Sequence, residues 1–176
     1  SDVCSSDLIR LAHGIVGFLD FTQPDVTPAL EKLKNFRLLR GFRQQYHWHE
    51  NPLYRFAPDA KQIASPRVAE NIAKLGEYGF TFDLQVFSGQ MADAAALADA
   101  CPDVTFILQH AGMLEDQSKA GWKAWRAAMT DLAKSKNVVT KLSAFGTFIH
   151  RNDPEFIAEM MHETVTIFGA DRCMFG

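Results

Sequence analysis

Several residues able to do chemistry stand at the ends of short apolar runs in this 176-residue sequence. His110 closes the run Val104–His110 and is followed by Ala111-Gly112, a strand-to-loop turn that would hold an imidazole at a rim. A neutral imidazole there can ligate a metal or accept a proton near neutral pH. The plainer reading is a histidine that makes a structural hydrogen bond. His47-Trp48-His49-Glu50 offers an HxH pair, which on a strand would aim both imidazoles to one side. Here the pair falls after the strand and beside Pro52, so a solvated or substrate-facing loop is the competing reading. His13, His150 and His162 have no acid or second histidine at useful spacing and read as helix or loop residues.

Alternation along the strands adds to this set. In a strand, residues i and i+2 share a face, so Thr81, Asp83 and Gln85 lie opposite Phe82, Leu84 and Val86. By the same rule Gly41, Arg43 and Gln45 oppose Phe42, and Lys141 and Ser143 oppose Leu142. A parallel strand covered on both faces is nearly all apolar. Polar side chains on three strands therefore carry a desolvation cost unless they line a ligand site or pair with one another. Two readings follow: a substrate site at the strand C-termini, or a buried ion-pair network of Arg43 or Lys141 with Asp83.

The elements that must position these groups alternate regularly. Strand-like runs cover Ile15–Phe21, Leu38–Gln45, Thr81–Val86, Val104–His110, Val138–Ser143 and Arg172–Gly176. Between them, Val68, Ile72 and Leu75, then Trp122, Trp125, Met129 and Leu132, follow the 3.6-residue stripe of a core-facing helix. Thr27-Pro28, Ser65-Pro66 and Asp153-Pro154 read as capped helix starts, with Gly79 and Gly169 as C-terminal caps. Six strands separated by five helical stretches predict βαβ units in a parallel sheet within one α/β domain. A doubly wound sheet and a (β/α)8 barrel both fit. Asn51–Ala64, with Pro52 and Pro58, is long enough to be a functional loop.

Composition narrows the function classes. With 18 Lys and Arg against 21 Asp and Glu, there is no basic footprint for nucleic acid and no polybasic membrane anchor. No apolar run approaches the roughly 18 residues of a membrane span, so a cytoplasmic protein acting on a small molecule is expected. Cys4, Cys101 and Cys173 lack CxxC spacing and read as incidental thiols. No G-x-S-x-G elbow, Walker A loop, G-x-G-x-x-G turn or H-E-x-x-H helix is present, which weakens serine-hydrolase, phosphate-loop and dinucleotide readings. Ser1–Leu8, SDVCSSDL, is polar and aperiodic; it resembles translated adapter read-through or a disordered terminus and is kept apart from the domain at 9–176.

Six segments in order, Gly41-Phe42-Arg43-Gln44, His47-Trp48-His49, Phe82-Asp83-Leu84-Gln85-Val86, Gln109-His110-Ala111-Gly112, Lys141-Leu142-Ser143 and Arg172-Cys173-Met174-Phe175-Gly176, resemble the amidohydrolase-related (amidohydrolase 2) family, most of all its lactonase branch. The resemblance runs from about Gly14 to Gly176 and implies a partial (β/α)8 TIM barrel with about six of eight strands, beginning at the third. Whole barrels typically take ~250 residues. Family members carry an HxH pair on the first strand and a closing Asp, or in some branches a related polar residue, after the final M-[FY]-G, both outside this sequence. The resemblance therefore implies an isolated chain without measurable hydrolysis, with weak metal affinity and with exposed strand edges prone to aggregation.

Carried over residue by residue, the resemblance makes His110 the catalytic histidine, as a metal ligand or a direct polariser of a carbonyl. Arg43 corresponds to a basic substrate-binding position, with His47, Trp48, Asp83, Gln85, Lys141 and Ser143 as further substrate contacts. Gln85 stands where binuclear members have a histidine, so one divalent ion such as zinc, or none, is implied. The expected reaction is water attack on the polarised carbonyl of a lactone or sugar-acid lactone. A decarboxylase of the same family and a non-catalytic binding module are the alternatives, and oligomeric state is left open.

Overall fold

The computed structural model describes residues 13–147 and 149–176. The expectations for Ser1–Leu8 and Cys4 lie outside the described residues. Eleven main elements alternate along the chain: β1 (Ile15–Phe18), α1 (Thr27–Leu33), β2 (Leu39–Gln45), α2 (Pro66–Glu77), β3 (Thr81–Gln85), α3 (Met91–Ala100), β4 (Phe106–Leu108), α4 (Lys119–Leu132), β5 (Val138–Leu142), α5 (Pro154–Phe168) and β6 (Cys173–Phe175). All neighbouring strands pair in parallel, in the order β1-β2-β3-β4-β5-β6. A doubly wound sheet must reverse its strand order at a switch point, and this one does not, so the sheet is that of a partial (β/α)8 barrel. Among the described residues β1 and β6 are edges, and they expose Val16, Phe18, Met174 and Phe175.

Alternation sorts the strand side chains as expected. Phe42, Phe82, Phe106 and Val138 lie side by side in register and are buried under the helices with Leu30, Ile72, Leu75, Trp125 and Met129. Each such side chain contributes about 1.5–3 kcal/mol. Arg43 and Asp83 are register partners on the opposite face. Gly41 is required where β2 meets β3, because an added Cβ would collide with the Thr81 hydroxyl and carbonyl oxygens.

The helix starts differ in detail from the capping pattern. Asp153 accepts from Phe156 N–H at 3.1 Å and caps α5 as expected. Ser65 occupies the N-cap of α2 without a side-chain bond. At α1 the N-cap is Val26, and Asp25 Oδ1 accepts from the N–H and hydroxyl of Thr27. Asn51–Ala64 is organised by two 3-10 turns, Pro52–Tyr54 and Gln62–Ala64, with Ala57 and Ile63 buried beneath. Cys101 and Cys173 are free thiols. No helix among the described residues is long and apolar enough to cross a membrane.

Candidate active site at the strand ends

The polar face gathers its charges near the C-terminal ends of the strands. Asp83 is fully buried, and its Oδ2 accepts from Arg43 Nη2 at 2.5 Å, Arg43 Nε at 3.2 Å and Lys141 Nζ at 3.2 Å. Gln109 Oε1 accepts from the same two cations, at 2.8 Å from Arg43 and 3.3 Å from Lys141. Lys141 thus reaches from β5 past β4 to a carboxylate on β3, which the concave curvature of the sheet permits. The ion-pair network that the alternation offered as one of its two readings is present, with both Arg43 and Lys141 on Asp83. Two cations share one carboxylate, leaving a formal surplus of one positive charge. Asp83 Oδ1 has no partner. The Arg43 side chain keeps 38% of its surface exposed, beside a cavity of about 320 Å³ that it lines with Gly17, Phe18 and Gln45.

His110 leaves the strand earlier than its sequence run suggests. β4 ends at Leu108, and His110, Ala111, Gly112 and Met113 all take positive φ, at 56°, 48°, 72° and 50°. Such a run costs backbone energy at its non-glycine members and persists only where surrounding structure imposes it. Part of that imposition is visible: the Trp125 indole N–H of α4 donates to Ala111 O at 2.8 Å in a buried bond. The turn sets His110 Nδ1 2.8 Å from Ser143 Oγ, just beyond β5. Burial, then the charges of Arg43 and Lys141, hold the His110 ring below the usual histidine range, with Asp83 opposing. His110 is therefore a neutral imidazole near pH 7, with one ring nitrogen on Ser143.

His47 and His49 follow β2 and flank the Phe87 ring at 5.6 and 5.7 Å. His47 is buried against Phe56 and Phe87, its Nδ1 has no partner, and burial lowers its pKa to about 4. Trp48 is half-buried, with the Arg55 guanidinium 4.9 Å from its ring centre. Gln85 is buried, accepting from Gln45 Nε2 at 3.3 Å and donating to the Met113 thioether at 3.5 Å.

Three residues outside the expected set complete the picture. Gln109 is fully buried and bridges the two cations. Gln90 accepts from Trp48 N–H and donates to Tyr46 O and Ala60 O, pinning the loop that carries both histidines. His150 sits in a loop, as expected, but stacks on Tyr54 and bonds its hydroxyl at 3.1 Å, so the loops after β2 and β5 meet. Only Gln109 had a sequence signal, its place beside His110.

The described residues do not by themselves make a metal site. No group of three or more His, Cys, Asp or Glu side chains among them is placed to hold an ion. His110 feels two cations, and the nearby carboxylate is already shared between them.

A sequence model of the family described as Amidohydrolase matches residues 5–176. The chain is 34% identical over 163 residues to the y4mH protein of Sinorhizobium fredii, covering 93% of this chain and 54% of that protein. It is 29% identical over 180 residues to the L-fucono-1,5-lactonase of Burkholderia multivorans, covering 97% and 58%. A solved amidohydrolase from Burkholderia multivorans, with bound HEPES, superposes at a TM-score of 0.80 with 26% identity, covering 97% of this chain and 60% of that one. Another crystal form of that amidohydrolase has bound zinc. The chain spans little more than half the length of these relatives.

Proposed function

This chain belongs to the amidohydrolase family, and from that we propose that its strand-end mouth polarises the carbonyl of a lactone, in the class of sugar-acid lactones, for attack by water. The observation that carries the reading is the shared carboxylate: Arg43 and Lys141 converge on Asp83 Oδ2 and leave positive charge in excess where an oxyanion would form. The likeness to an L-fucono-1,5-lactonase supports the substrate class.

In this reading the lactone carbonyl oxygen enters beside Arg43, from the cavity that residue lines. The reading requires the tautomer in which the Ser143 hydroxyl donates a hydrogen bond to His110 Nδ1 and the ring proton stands on Nε2 as a donor toward the carbonyl. A neutral imidazole can serve in that role. Water adds to the carbonyl carbon, the ring C–O bond breaks, and the proton that the added water gives up passes to the alkoxide, so that the hydroxy acid leaves. Asp83 acts through the two cations it holds, and Ser143 acts through His110. Trp48 is accessible for direct contact, while buried His47 and Gln85 shape the wall.

The test is a chimera in which this chain replaces the matching segment of the Burkholderia multivorans lactonase. Hydrolysis of a hexono-lactone is expected, falling roughly 100-fold or more in Arg43→Met and in His110→Asn, the size of effect seen when one oxyanion donor is lost. A folded chimera that opens no lactone, or one indifferent to both substitutions, would overturn the proposal.

A further inference from the structure

A second cavity lies among the loops after β2, β3 and β4. It holds about 220 Å³ and is lined by Trp48, His49, Phe87, Gly89, Gln90 and Glu115 among others. That is smaller than the ~300 Å³ lower end of drug-sized ligand sites and suits one small ring. Gln90 is spent on backbone groups of the loop, so its amide has little left to offer a ligand. Glu115 is different: its Oε2 is buried with no hydrogen-bond partner, and burial raises its carboxyl above the usual range. A buried acceptor that no protein group reaches carries a desolvation cost, which a hydroxyl donor would offset.

His49 supplies the complement. Its Nδ1 accepts from Asn51 N–H at 2.9 Å, which fixes the neutral ring's proton on Nε2 as a donor. An acceptor and a donor in one small wall match a hydroxyl group, which can both give and take a hydrogen bond. Arg55 stands over one face of the Trp48 ring, and the parts of Trp48 and Phe87 that line the cavity offer apolar surface to the C–H side of a saturated ring. The wall has no cation of its own but carries Glu50 and Glu115, so it favours a neutral polyol over an anion.

We propose that this cavity is a hydroxyl-recognising subsite for a pyranose-type ring, in which one ring hydroxyl donates to Glu115 Oε2 and another accepts from His49 Nε2–H. The assignment rests on the lactone reading for the kind of ring bound, but its test needs no carbonyl. The probe is anhydroglucitol, a hexose ring whose lactone carbonyl position is a methylene, and the control is tetrahydropyran, the same ring without hydroxyls. Both are titrated into the isotope-labelled chain while the Trp48 indole cross-peak, assigned with Trp48→Phe, is followed.

A saturable shift with anhydroglucitol and none with tetrahydropyran is expected, weakened about tenfold in Glu115→Leu and less in Glu115→Gln, with thermal melts confirming that both variants fold. Equal response to the two rings, no shift with anhydroglucitol, or unchanged binding in folded Glu115→Leu and Glu115→Gln would overturn the subsite. If anhydroglucitol binds while the chimera opens no lactone, only the lactone reading is lost. If lactones are opened while anhydroglucitol fails to bind, only the subsite is lost.

Discussion

Asp83 shows how much one buried side chain decides. Its carboxylate has no solvent, and both of its cationic partners share one oxygen. Arg43→Met leaves Lys141 in place, so we expect a loss of roughly 1 kcal/mol; the double substitution with Lys141→Met strands a buried charge and should cost about 3–5 kcal/mol, more than the two singles together. Urea unfolding of the three variants checks this, and simple additivity would contradict the shared-oxygen geometry. His47 gives a second prediction. Its folded pKa, near 4, lies below the ordinary value of 6.5, so between these pH values the unfolded chain binds the extra proton. Stability is then full above about pH 6.5 and falls as pH drops toward 4, by roughly 1.4 kcal/mol per pH unit at most from this group. His110 shifts in the same sense. Glu115, raised by burial, opposes them, because the folded chain keeps its proton at pH values where the unfolded one has lost it. Melting temperatures from pH 7 to pH 5 should fall less steeply in His47→Phe than in the parent; identical slopes would contradict a buried neutral ring. Arg43, Asp83 and Lys141 were legible in the sequence because a period of two places them on one face. Gln109 was signalled only by its place beside His110, and Gln90 and Glu115 not at all, because their roles arise from loop geometry that no period encodes.

Elements carry the precision of the site. The left-handed run from His110 to Met113 is held partly by the Trp125 indole, a residue the helical stripe identifies only as core. Trp125→Phe keeps most of the apolar bulk but leaves Ala111 O without its donor, at about 1–3 kcal/mol. The same substitution should move the His110 titration toward the ordinary histidine value as the loosened ring gains solvent and swings away from Arg43 and Lys141. Thermal melts and histidine proton resonances read the two effects, and a destabilised variant with an unmoved His110 titration would show that Trp125 does not position the turn. Helix faces were largely legible: Val68, Ile72 and Leu75, then Trp125, Met129 and Leu132, are buried as their spacing requires, while Trp122 at the head of the second stripe is only partly covered. Caps were less so. Thr27 looks like a cap beside Pro28, yet the N-cap is Val26, and the Thr27 N–H and hydroxyl are taken by Asp25, whose carboxylate also meets Lys74 at 2.6 Å.

At the scale of the whole molecule, strand order was the one feature alternation could not supply. A barrel and a doubly wound sheet share the same βαβ sequence pattern, and the resemblance to the family, then the unreversed pairing, decided between them. Among the described residues the same order leaves two apolar edges, with Phe18 70% and Phe175 81% exposed. We expect concentration-dependent association in light scattering, reduced in Phe18→Lys/Phe175→Lys, since edge lysines oppose strand-to-strand pairing. Zinc, in turn, should leave the melting temperature of this chain unchanged, because its described residues assemble no ligand group and His110 stands beside two cations. Saturable stabilisation lost in His110→Asn would contradict that. The central claim is that the mouth polarises a carbonyl, and isotope-edited infrared difference spectroscopy of a carbon-labelled hexono-lactone bound to the chain reads it directly. The account predicts a carbonyl stretch shifted to lower frequency on binding, with the shift lost in Arg43→Met and in His110→Asn. A bound lactone whose carbonyl stretch matches that in water would contradict it.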